Sequence, residues 1–107
     1  MFLVDLQARV TAMKQILLSP RPIPEILGQA CQQLSGIEIT LLNKKLYKKM
    51  TRFAVEFNQI IERYDIDTVE AYQRLCLTDQ HRLLAMLQDI CQRLQRFIHL
   101  ASRKNVH

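Results

Sequence analysis

An all-α fold, a small helical bundle of three long heptad-patterned helices plus one or two short ones, is predicted by three observations. Apolar residues recur every three and four positions over three long segments, which is the pattern of an amphipathic helix and not the alternation of a strand. The chain has two glycines and three prolines, with every proline between Pro20 and Pro24, so it offers few places to turn and must be built of long pieces. Its 107 residues, 49% hydrophobic and 23% charged, suffice for one buried core and not for two. Residues 1–107 are therefore expected to form one domain, with a frayed tail at 104–107.

The first helix is expected at about residues 2 to 18, where Leu3, Leu6, Val10, Met13 and Leu17 form a heptad stripe and Asp5, Gln7, Arg9 and Lys14 fall off it. Ser19-Pro-Arg-Pro-Ile-Pro then ends it, since each proline lacks an N–H and pushes its predecessor toward extended backbone. A short second helix follows from Pro24 and Glu25, with Ile23, Leu27, Ala30 and Leu34 on its buried face and Ser35-Gly36 as its stop. The longest pattern starts at about Glu38. It carries Ile39, Leu46, Met50, Phe53, Phe57, Ile60 and Tyr64 on one seam, interrupted by Asn43 and widened by Leu42, Tyr47, Ala54 and Ile61. A stripe of that width predicts packing against more than one neighbour. Asn43 reads either as a register-fixing buried polar residue or as an exposed residue at the helix start, and its place near the start favours the second.

Asp67 and Glu70 have the spacing of a capping box for a brief helix through Val69, Tyr72, Leu75 and Cys76. The last helix is expected at about Thr78 to Arg103, with Leu83, Leu87, Ile90, Leu94, Phe97 and Ala101 as its stripe and Leu84, Cys91 and Ile98 beside it. Short connections make these helices roughly antiparallel neighbours in a four-helix-type bundle, or in a three-helix bundle braced by the short helices. The outline from Asp67 to Ile90 also resembles a helix-turn-helix, but its turn lacks the usual glycine and its reading face would be Asp79, Gln80, His81 and Arg82.

No motif of recognisable chemistry stands out. His81, His99 and His107 lie far apart, the cysteines make no CxxC pair, and no glycine-rich phosphate loop or nucleophile with an adjacent base is present. The expectation is a non-enzyme without metal or cofactor. Cys31, Cys76 and Cys91 are odd in number and fall on expected apolar helix faces, which suits buried thiols in a reducing compartment and so a cytoplasmic location. The opening MFLVDLQARV lacks the basic and continuous apolar regions of a signal peptide, and no apolar run approaches the ~20 residues of a membrane span.

The feature with most functional content is Lys44, Lys45, Lys48, Lys49 and Arg52, five cations within nine residues with no acid among them. On a helix they form two adjacent i,i+4 rows on a face away from the apolar seam. Like charges at that spacing cost a few tenths of a kcal/mol per pair, and cations near a helix start gain nothing from its dipole. With a net charge of +5, the patch points to a solvated face, to an acidic protein partner or to phosphate. Glu56, Glu62, Asp65, Asp67 and Glu70 against Arg63 make the other end acidic, a polarity that also favours self-association into an oligomer. A second basic group, Arg93, Arg96, Arg103 and Lys104, is read as complementing the negative end of the last helix.

The function expected is thus a protein-interaction module, such as an adaptor, a chaperone-like factor or a regulator, binding an acidic partner or itself through helix faces and the lysine patch. The competing expectation is a nucleic-acid-binding accessory protein that uses the same patch for backbone contacts, with Arg93 to Lys104 as a second basic group, and with little sequence preference because Tyr47 alone could stack on bases. Attachment to a membrane surface is disfavoured, since the patch has no bulky exposed apolar residues beside it.

Overall fold

Hydrophobic periodicity and the proline cluster bound the first two helices closely. The computed structural model describes residues 2–64 and 69–104, and places α1 at Phe2–Leu18 and α2 at Ile23–Ser35. Leu6, Val10 and Met13 are buried on α1, with Leu3 and Leu17 half-buried at the ends of the stripe. Pro22, at φ −57° and ψ 144°, stands in polyproline geometry as the N-cap of α2, and its carbonyl accepts the N–H groups of Glu25 and Ile26. Ile26, Leu27, Ala30 and Leu34 bury the face of α2, and α1 and α2 pack together as an antiparallel hairpin.

Gly36 ends α2 without using its freedom to adopt positive φ, because φ there is −89°. Its small size matters instead. A Cβ at this position would collide with the guanidinium of Arg9, which crosses from α1 and donates from Nη1 to the Gln33 carbonyl at 3.4 Å. A cation thereby sits at the negative end of α2, supplied by another helix.

A 3₁₀ turn at Ile39–Leu41 precedes α3, which spans Lys44–Tyr64. The expected start near Glu38 is therefore six residues too early. Asn43 is the residue that decides it: exposed, it accepts the Leu46 N–H on Oδ1 at 2.9 Å while its carbonyl accepts the Tyr47 N–H, which is an N-cap. The second 3₁₀ segment, Val69–Arg74, replaces the short α-helix expected through Leu75 and Cys76, so the helix-turn-helix outline fails for want of a first α-helix among the described residues. Asp67, half of the expected capping box, lies outside the described residues, as do 105–107 of the expected tail.

The final helix, α4, spans Leu77–Lys104, one residue beyond expectation at each end. Its 28 residues extend roughly 42 Å at 1.5 Å each, most of the 50 Å long axis of the molecule. It is the spine of the bundle. Leu83, Leu87 and Leu94 are completely buried, and Ile90, Cys91 and Ile98 are nearly so, in contact with α1, α2 and α3. Each such leucine contributes about 2 kcal/mol by removal from water. At the start of α4 Gln80 is buried and donates from Nε2 to the Leu75 carbonyl at 2.9 Å.

The stripe of α3 is narrower than expected. Leu46, Met50, Phe57 and Ile60 are buried and Phe53 half-buried, whereas Tyr47 and Ala54 are exposed, and Leu42 is buried outside the helix. The Ile61 side chain lies outside the described residues. Spacings of four, three, four and three make this a single two-helix seam, and α4 is the helix that α3 packs along. Phe53 and Phe57 stack at 5.5 Å between ring centroids, and Phe57 meets Tyr72 at 6.3 Å. Among the described residues no helix is long and apolar enough to cross a membrane.

Candidate functional site: a cationic cleft between the third and fourth helices

The capped start of α3 lies against the last three turns of α4, so the two helices run antiparallel. Between them is an open cleft of about 180 Å³. Its floor is apolar, made by Leu46 of α3 with Phe97 and Leu100 of α4. Its rim is cationic: Lys45 and Lys49 from α3 face Arg93 and Arg96 from α4, with Asn43 at the edge. No carboxylate is among the described lining residues. Asp89 stands one turn back, where its Oδ2 accepts from Nε of Arg93 at 3.0 Å, an exposed i,i+4 pair of a few tenths of a kcal/mol that holds the arginine stem along α4.

Helical geometry explains why only part of the lysine patch reaches this cleft. Lys45 and Lys49 lie on the flank of the Leu46 to Ile60 stripe that lines the cleft, Lys49 half-buried and Lys45 exposed. Lys44, Lys48 and Arg52 turn outward and are exposed. The five cations are thus not one surface. Two join a cleft and the others cover the outer side of α3. Lys44 and Lys45 also occupy the first two positions after the cap, where the positive helix end adds to their charge and favours an anion.

The sequence offers Arg93 to Lys104 as a complement to its own helix end and as a further basic group for nucleic acid, but not as the neighbour of Lys45 and Lys49 across one cleft. The signal was present: one basic group lies early in α3, the other late in α4, and antiparallel packing superimposes them. An anion in a cleft of this size lies within roughly one Debye length, about 8 Å at physiological ionic strength, of both walls.

Other sites carry less. A larger groove of about 360 Å³ between α1 and α4 is lined by Leu17, Leu18, Cys91 and three glutamines, with Lys14 as the one charged residue among those described. Burial raises the Cys91 thiol pKa, and the Lys14 charge opposes the rise. Cys31 is a hydrogen-bonded packing residue: burial pushes its thiol up to about 12, although the Tyr72 hydroxyl donating to its sulfur pulls it down. At neutral pH it is no nucleophile. Cys76 departs from expectation, because it is exposed and lies between the second 3₁₀ segment and α4, not on an apolar helix face. His81 and His99 are both exposed on α4. No protein-family model matches the chain, and neither a curated protein nor a solved structure does.

Proposed function

We propose that this protein is a non-enzymatic interaction module that binds an acidic, partly apolar segment of another protein in the cleft between α3 and α4. One observation carries the reading: four cations from two helices surround an apolar floor. Carboxylates of a partner would meet Lys45, Lys49, Arg93 and Arg96, while a leucine or phenylalanine side chain would cover Leu46, Phe97 and the half-exposed Leu100. Phosphate alone would satisfy the rim and leave the floor unused. Nucleic acid also gains little from stacking here, since Tyr47 on the outer side is the exposed large aromatic residue of α3 among those described.

The juxtaposed basic groups favour one second reading, phosphate-backbone binding, and a single titration separates the two. A fluorescent peptide of alternating glutamate and leucine blocks is compared with the same peptide bearing serine for leucine, and with single-stranded DNA. The proposal expects the leucine peptide to bind at least about tenfold more tightly than the serine peptide. Lys45→Glu combined with Arg96→Glu should abolish that binding, while Lys48→Glu should weaken it only modestly. Equal affinity for both peptides, with tighter DNA binding that collapses as salt rises, would replace this reading with the nucleic-acid one.

A further inference from the structure

The outer side of α3 carries a second stripe. Lys44, Lys48, Thr51, Val55, Asn58 and Glu62 are all exposed, and they follow one another at intervals of four, three, four, three and four. That is heptad spacing, on a side of the helix roughly 160° from the Leu46 to Ile60 seam by the wheel of an ideal helix. Every side of an α-helix is traced at such intervals, so what distinguishes this one is the order of its side chains.

The order of residues along this stripe is self-complementary. Lys44 and Glu62 lie nine positions to either side of Phe53, Lys48 and Asn58 lie five, and Thr51 and Val55 lie two. Two copies of α3 laid antiparallel about a twofold axis at Phe53 therefore bring Lys44 of one against Glu62 of the other at both ends. Next inward, each Lys48 ammonium meets an Asn58 side-chain carbonyl, and at the centre Thr51 packs on Val55. These are the a-to-d layers an antiparallel pair of helices forms.

We propose that a second copy of this chain docks here, forming an antiparallel homodimer through the outer side of α3. The occupant is fixed by charge: the face is positive at one end and negative at the other, so its own inverted copy matches it, whereas a uniformly acidic partner would be repelled at Glu62. A seam this polar gives a weak dimer with a defined register. The proposal does not depend on the cleft, whose residues face α4, and either stands without the other. Arg52 flanks the seam beside the twofold axis, so the two Arg52 side chains approach and oppose pairing.

Sedimentation equilibrium of the full chain, from micromolar to millimolar concentration at low and high salt, tests it. The wild type should show a reversible dimer that weakens with salt. Lys44→Glu and Glu62→Lys should each weaken it by about tenfold, because each places two like-charged pairs in the dimer. Mixed in equal amounts these two variants should recover wild-type association, since every end pair is then opposite in sign. Arg52→Gln should tighten the dimer. Circular dichroism should be unchanged throughout, as every altered residue is exposed. A wild type that stays monomeric at millimolar concentration, charge reversals without effect, or a mixture no better than its components would each overturn the proposal.

Discussion

Helices α3 and α4 lie antiparallel along each other, yet they are buried in different ways. Around α4 the apolar stripe is wide, with Leu83 and Leu84, Ile90 and Cys91, and Phe97 and Ile98 forming side-by-side pairs, and three leucines have no exposure at all. On α3 one residue per step is covered, and Tyr47, Ala54 and Val55 remain in solvent. The lesson is that stripe width, once measured in the fold, separates the helix that organises a bundle from the helix that is laid on it. The laid-on helix is also the one whose charges are arranged against its own stability, with lysines at its start. A helix held by one seam has its other sides available for partners.

This difference sets a ranked series of changes. The largest effect is expected for Leu87→Ala at the centre of the spine, about 3 kcal/mol or more, because neighbours on all sides limit collapse of the cavity; urea denaturation measures it. Met50→Ala in the narrow seam should cost less, about 2 kcal/mol, since one side of the site can relax. Should Met50→Ala prove the more damaging, α3 is as central as α4 and the contrast fails. Asn43→Ala removes the cap from α3 and should cost about 1 kcal/mol, with faster amide exchange confined to the first turn of that helix.

Gly36→Ala should be the mildest, within about 0.5 kcal/mol, because φ is negative there and the obstructing group is the mobile end of Arg9. A loss much larger than that in a thermal melt would mean that Arg9 at the end of α2 is held more firmly than a flexible side chain.

Much of the fold was legible in the sequence where two independent signals agreed. For α1 the stripe from Leu3 to Leu17 ends at the proline cluster, and both bounds emerge correctly; for α4 the expected bounds Thr78 and Arg103 each fall within one residue of the observed ones. The start of α3 was not legible from periodicity, because Ile39, Leu42 and Leu46 keep helical spacing through a 3₁₀ turn and an extended residue. Leu42 itself has φ −82° and ψ 163°. Only the capping chemistry of Asn43 marks the true boundary.

Stripe width misled for a related reason. An apolar residue beside a seam, such as Tyr47 or Ala54, is buried only if a third element covers that side, and sequence spacing does not say whether one does. Of the candidate site, the five cations from Lys44 to Arg52 were legible as a cluster. Their division between the cleft and the outer side was not, because it depends on where the seam with α4 runs. Joining Lys45 and Lys49 to Arg93 and Arg96 further required knowing which helix α3 packs along.

The most direct measurement of the central claim, that the α3 and α4 cleft is the binding surface, is a titration of the glutamate-leucine peptide into isotope-labelled protein followed by amide chemical shifts. Saturable shifts concentrated in residues 43–49 and 93–100, with the α1 and α2 hairpin unmoved, are the predicted result. Shifts centred on the groove between α1 and α4, or none at concentrations where binding is seen, would contradict it.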